Sequence, residues 1–478
     1  SYKPADEDGF FILFLSPTIR QEGEKIAKDV IFVLDVSGSM EGEKLRQAKE
    51  ALKFVLSRLG PEDRFNILAF STGVSLFADS LVPASEKEKA LKFVEELSAH
   101  GSTNIYQALM EALSLVKDRP TYVLFLTDGL PTVGVTDVRR IVEDVGKKAP
   151  KNIRLFTFGV GDDVNTFLLD KLASEHRGIS TYVRPGEDLE AAVSTFYSRI
   201  SSPVLTDVAL DFEGVRVRDL YPYPLPDLFA GTQLVVVGRY QEGGEATVTL
   251  KGKRGEKEEA FSWEAEFQKR GGEEFIPRLW ASRRIGYLME QIRLHGENKE
   301  IVEEIVALSL RYGIITPYTS FLVEEEVLTQ EEREEAVRKL MPGLTTVPEA
   351  SFGGAEVQKS IIQRNLQEAV MPAPSPASAK VKQVGNKTFI FKDGVWIDTA
   401  FERQRIEVVK VPFGGETYFR LLAENPQLGR YFSLGKRVVV VEKGKAYEVV
   451  EEGVEEPVQK SNIFERLLRL IRKVFKRR

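Results

Sequence analysis

The segment that most restricts how this chain can fold is Val30-Ile31-Phe32-Val33-Leu34, five apolar residues in a row that stop at Asp35. An uninterrupted run of this length reads as a strand covered on both faces, as in a parallel sheet. Further short runs follow at Phe65–Phe70, Tyr122–Leu126, Arg154–Phe158 and Ser180–Val183, with Val74–Phe77 as an antiparallel edge. Between them Leu45, Ala48, Leu52, Val55, Leu56 and Leu59, then Ala90, Leu91, Val94 and Leu97, recur at helical spacing. This alternation from Asp29 to about Ser201 predicts an α/β, doubly wound, Rossmann-like sheet. Such sheets take ligands at the carboxyl ends of their strands. Asp35 stands at one of those ends.

The rest of the chain divides around that unit. Gly9–Ser16 reads as a strand without an upstream partner, at the end of a segment 1–28. After the α/β unit (29–201), residues 202–274 show Val-x-Val alternation at Val215–Val217, Leu234–Val237, Ala246–Leu250 and Ala260–Ala265, which predicts a β-sandwich-like module. Helical spacing returns in 275–342, through Phe275–Tyr312 and a Glu-rich helix at Gln330–Lys339, with Leu322 and Val323 as a returning strand. Residues 343–380 read as a linker, because the stretch ending Pro372-Ala-Pro-Ser-Pro cannot bury a core. Residues 381–456 read as a small α+β domain with strands in Lys387–Ile397 and Val438–Val450 and a helix near Tyr418–Asn425. The tail, 457–478, carries an amphipathic helix with Phe464, Leu467, Leu468, Ile471, Val474 and Phe475 on one face and a basic opposite face. Basic amphipathic helices dock on anionic lipid or on acidic protein surfaces.

Composition removes several function classes. The chain has no cysteine, which excludes disulfides, thiol catalysis and Cys-ligated metals. Only His100, His176 and His295 are present, so histidine-rich metal sites are not expected. The net charge of -6 gives no general attraction to nucleic acid. No apolar run approaches the roughly 20 residues needed to cross a bilayer. The sequence starts at Ser1 without a signal-peptide pattern, as expected of a processed or trimmed fragment.

Asp35, Ser37 and Ser39 place a carboxylate and two hydroxyls on one tight turn, an all-oxygen set suited to Mg²⁺ or Mn²⁺, with Ca²⁺ also admissible. A second loop, Gly101-Ser102-Thr103-Asn104, adds a hydroxyl before a helix, and the strand ending at Leu126 leads into Thr127-Asp128-Gly129. A lone Asp-x-Ser-x-Ser is often only a helix cap. Its strand context and two companion loops favour a metal site. Glu41 and Glu43 fit the helix dipole instead. A hydrolase would need a base near the cation, and none stands at a recognisable spacing. Enzymatic use is therefore not expected.

The order Asp-x-Ser-x-Ser, Thr, Asp resembles the von Willebrand factor type A domain and its metal-ion-dependent adhesion site. That resemblance implies Asp35, Ser37, Ser39, Thr103 and Asp128 as metal ligands, some through water. His100, Asn104 and Leu130 lie beside these loops as candidate partner-binding rim residues, although a surface histidine without a role is the commoner case. A wider resemblance, from about Gly9 to Val323, is to the heavy chains of inter-α-trypsin inhibitor and their bacterial relatives, in which a VIT domain precedes the A domain. It is carried by Asp29–Met40, Asp63-Arg64-Phe65, Thr103-Asn104-Ile105, Asp128–Gly134 and Ile315–Ser320. It implies that Gly9–Ser16 pairs with strands of 203–268, making the A domain an insertion in a sandwich. Secreted heavy chains use an Asp-Pro-His-Phe motif for ester linkage to glycosaminoglycan; this sequence has none, so such transfer is not implied.

The resulting expectation is a non-enzymatic, divalent-cation-dependent adhesion or interaction protein that binds a partner's Asp or Glu, at an extracellular, cell-surface or periplasmic location. The alternative is an intracellular assembly module for a multiprotein machine such as an AAA+ ATPase complex. A Mg²⁺-dependent hydrolase stands behind both.

Overall fold

The computed structural model describes residues 1–5, 7–17, 26–255, 257–296, 298–318, 352–371, 381–385, 387–401 and 406–451. The expected strand at Leu322 and Val323, the helix at Gln330–Lys339 and the basic tail lie outside those residues. The chain forms two compact units, Ser1–Pro376 and Ala377–Arg478.

The first unit begins with β1 (Tyr2–Lys3) and β2 (Gly9–Leu15), then enters an α/β sheet. Its strands are β3 (Asp29–Asp35), β4 (Arg64–Phe70), β5 (Val74–Leu76), β6 (Val82–Pro83), β7 (Thr121–Thr127), β8 (Ile153–Val160) and β9 (Ser180–Val183). The order is β5-β4-β3-β7-β8-β9, with β6 beside β4; β5 and β6 are antiparallel and the rest parallel. Helices α1 (Glu43–Ser57), α2 (Lys87–Glu96), α3 (Ile105–Ser114), α4 (Val138–Lys148), α5 (Thr166–Glu175) and α6 (Leu189–Ile200) cover both faces. Every residue of β3 and β7 is buried, which explains the unbroken apolar runs. Alternate side chains enter opposite cores: Val30, Phe32 and Leu34 meet α1 residues such as Ala48 and Val55, while Ile31 and Val33 join Leu109 and Ile141.

After α6 the chain builds β10 (Pro203–Glu213), β11 (Val217–Tyr221), β12 (Leu228–Phe229), β13 (Leu234–Tyr240), β14 (Gly244–Arg254), β15 (Lys257–Phe267) and β16 (Gly271–Gly272). They form two antiparallel sheets, β12-β10-β14-β15 and β11-β13-β2-β1-β16. Strand β2 pairs with β13 along its whole length, from Gly9 against Tyr240 to Leu15 against Leu234. The α/β unit is thus inserted between two parts of a sandwich. Phe11 and Tyr240 of one sheet meet Ala246, Val248 and Phe267 of the other, while Phe10 and Val237 on the reverse face pack under α7 (Ile276–His295). Alternation along β2 therefore serves two cores. The expected strand at Val215–Val217 is displaced to Val217–Tyr221, because Gly214 turns the chain with φ +91°.

Helix α8 (Lys299–Tyr312) follows α7. The expected linker over 343–380 needs correction, because Gly354–Gln367 form helix α9. Its Val357 is buried in the α/β core and its Leu366 in the core under α7. Gly286 permits the approach: a Cβ there would stand 2.8 Å from Gln367 Cγ.

In the second unit, β17 (Val381–Val384), β18 (Lys387–Lys392), β19 (Val395–Asp398), β20 (Glu407–Pro412), α10 (Glu416–Glu424), α11 (Gln427–Phe432), β21 (Val438–Glu442) and β22 (Lys445–Val450) give one mixed sheet, β17-β18-β19-β21-β22-β20. Phe389, Val411, Phe432, Val438 and Val449 form its core.

Candidate metal centre

Parallel register fixes the site. Asp35 is the last residue of β3, and Asp128 follows the end of the neighbouring β7. Both carboxylates are almost wholly buried. Asp35 Oδ1 accepts the Ser37 N–H at 2.8 Å and its Oδ2 accepts the Thr127 hydroxyl at 2.6 Å. Burial pushes the Asp35 carboxyl above the usual carboxylate range; the Ser37 and Thr127 hydrogen bonds oppose that rise, and the Asp128 charge adds to it.

Ser37 and Ser39 hydroxyls lie 3.2 Å apart, and Ser39 Oγ donates to Asp128 Oδ1 at 2.7 Å. The second loop is sewn to both others. The Gly38 N–H donates to Gly101 O at 3.1 Å, where Gly101 holds φ +77°. The Thr103 N–H donates to Thr132 Oγ1 at 2.8 Å, and Thr103 O accepts the Thr132 N–H at 2.9 Å. A Cβ added at Gly129 would stand 3.7 Å from Thr103 Oγ1, so that hydroxyl borders the third loop. The Asp35, Ser37, Ser39, Thr103 and Asp128 loops therefore meet at one rim.

The proposed rim residues differ among themselves. Asn104 caps α3, accepting the Gln107 N–H at 3.2 Å and donating to Thr72 O at 3.2 Å. Its side chain is committed to the loop. His100 is exposed, with Nδ1 2.9 Å from Ser98 O, and Leu130 is half-buried.

Two contacts were missed from the sequence. Thr127, read as the first loop residue after Leu126, is the last residue of β7, and its hydroxyl holds Asp35. Lys44, in the first turn of α1, donates from Nζ to Asp128 Oδ2 at 2.6 Å. Its position just past the metal turn, with Glu43 already assigned to the helix dipole, was the available signal.

The donor set fits a hard divalent cation: two carboxylates and three hydroxyls, all oxygen. Among the described residues no three acidic or histidine side chains gather as a metal cluster, so the hydroxyls are essential to this reading.

Residues 28–182 match the family model described as the von Willebrand factor type A domain. Human inter-alpha-trypsin inhibitor heavy chain H4 is 32% identical over 409 residues, covering 79% of this chain and 43% of that protein. Human heavy chain H2 is 26% identical over 402 residues, covering 79% and 41%. The chain spans less than half the length of these relatives. Among solved structures, a von Willebrand factor type A protein from Catenulispora acidiphila is similar at 16% identity, covering 78% of this chain and 100% of that one with a TM-score of 0.46.

Proposed function

We propose that this chain, which carries a von Willebrand factor type A domain and is similar over most of its length to inter-alpha-trypsin inhibitor heavy chains, is a divalent-metal-dependent interaction protein rather than an enzyme. The observation that supports this most directly is the convergence of Asp35 and Asp128 with the hydroxyl-bearing loops at one rim, where Ser39 reaches the surface. Asp35, Ser37, Ser39, Thr103 and Asp128 would hold the cation, Mg²⁺ or Mn²⁺ by their hardness. The bound ion supplies positive charge that attracts an Asp or Glu carboxylate of a partner protein.

The protein's own residues prepare that encounter. Thr127 and the Ser37 amide orient Asp35, and Ser39 orients Asp128, so the carboxylates need no rearrangement. Three of the five protein donors are neutral hydroxyls and an octahedral ion takes a sixth oxygen, so a partner's carboxylate can complete the coordination. The similarity to heavy chains supports a place outside the cell. Among the described residues no helix is long and apolar enough to cross a membrane.

The test is calorimetric titration of the full chain with Mg²⁺ and Mn²⁺, followed by a pull-down in Mg²⁺ or EDTA. Wild type should bind metal, and Asp128→Ala should lose metal and partner capture together. Partner capture that is indifferent to EDTA would refute the mechanism.

A further inference from the structure

We propose that Lys44 is a built-in counter-cation of this centre, and that a divalent ion must displace its ammonium from Asp128 to bind, so that Lys44 sets the metal affinity. The proposal rests on reading the site as a metal centre. Asp128 offers two oxygens: Oδ1 accepts from Ser39 and Oδ2 from Lys44. The two partners are held unequally. The Asp128 side chain has no solvent exposure, whereas that of Lys44 is 41% exposed. The carboxylate cannot leave; the lysine can swing into water at little cost, because its stem already lies at the solvent edge.

The surroundings favour such an exchange. Gly161, just past the end of β8, would place a Cβ 3.9 Å from Lys44 Nζ, so the ammonium passes over a position without a side chain. Asp35 adds a second negative charge whose own partners, Ser37 and Thr127, are neutral. One ammonium therefore balances only half of the charge on the two carboxylates. A divalent ion balances all of it. The two cations repel at hydrogen-bond distances and compete for the same oxygen, so binding of one weakens the other. Once released, the ammonium stays tethered beside the rim.

The test uses the full chain as wild type, Lys44→Met and Lys44→Arg. Calorimetry should show Mg²⁺ binding about tenfold tighter in Lys44→Met, with Lys44→Arg close to wild type because the charge is retained. In EDTA, Lys44→Met should melt below wild type, and added Mg²⁺ should raise its melting temperature more. A damaged site would lose affinity, so a gain separates charge competition from a structural role. Equal or weaker Mg²⁺ binding by a folded Lys44→Met protein overturns the proposal. If wild type and Lys44→Met both fail to bind Mg²⁺ or Mn²⁺, the metal-centre reading itself falls. A second measurement needs no variant: acylation of Lys44 in wild type by an amine-reactive ester, followed by mass spectrometry, should rise several-fold when Mg²⁺ replaces EDTA. Unchanged or reduced labelling in Mg²⁺, in a chain shown to bind it, overturns the proposal.

Discussion

The two ends of the α/β sheet both bury aspartates, and they treat them differently. At the amino ends of the strands, Asp29 receives a two-pronged contact from Arg64 at 2.8 Å, and Asp63 receives Lys28 Nζ at 2.6 Å. On β8, Arg154 reaches Asp227 at 2.8 Å and Asp207 at 3.0 Å, joining this end of the sheet to the sandwich. At the carboxyl ends, Asp35 is held by neutral donors alone and Asp128 shares one half-exposed lysine. A buried carboxylate is thus no sign of a functional site by itself. What separates the two ends is how completely its charge is balanced.

That comparison can be broken in three places. The largest effect should follow Lys28→Met, which strands Asp63 in the interior; loss of about 3–5 kcal/mol is expected from chemical denaturation, with Mg²⁺ affinity unchanged. A small loss would show that Asp63 is held mainly by its amide contacts from Lys28 and Gly60. The converse is expected of Asp35→Asn: metal binding lost in calorimetry, yet the melting temperature in EDTA no lower than wild type, because the charge removed is one that burial already disfavours. A marked fall in melting temperature would erase the contrast between the ends.

The smallest effect concerns His176, which precedes β9 at the amino end. Its Nε2 is buried without a hydrogen-bond partner, and burial lowers its proton affinity below the ordinary value of 6.5, against a weaker opposing pull from Glu175. The unfolded chain therefore takes up the proton first as pH falls below about 6.5, and this residue's contribution to stability declines through that window. His176→Gln should flatten part of the decline in denaturation midpoint between pH 7 and pH 5. An identical pH profile would mean that His176 is accessible to protons when folded.

Much of this was legible in residues whose environment follows from their chemistry. The buried strands β3 and β7 announce themselves because their interiors, Val30–Leu34 and Tyr122–Leu126, are apolar throughout and are covered on both faces. The Asp35, Ser37, Ser39 and Asp128 loops could be grouped because strand-end positions in such a sheet converge, whereas Thr103, in the loop between α2 and α3, joined them through the family resemblance. Elements defined by distant partners were harder. The pairing of β2 with β13, more than two hundred residues away, was expected from the wider family resemblance, because β2's own apolar residues do not specify a partner. Helix α9 hid in a stretch read through its proline-rich end, although Val357, Ile361 and Leu366 carry a buried stripe. Lys44 was passed over because lysine on a helix is ordinarily a solvated residue, and its partnership depends on a carboxylate 84 positions away.

Insertion between β2 and β10 also has a mechanical side. The chain enters the α/β unit at the start of β3 and leaves it after α6, which returns antiparallel to the strands, so both covalent tethers lie at the end opposite Asp35 and Asp128. A partner pulling on the rim would load β3 lengthwise, against ladders of seven residue pairs to β4 and six to β7. Those ladders would share the load in shear rather than open one pair at a time. The same topology that brings Asp35 to the rim thus sets its strand along the line of such a pull.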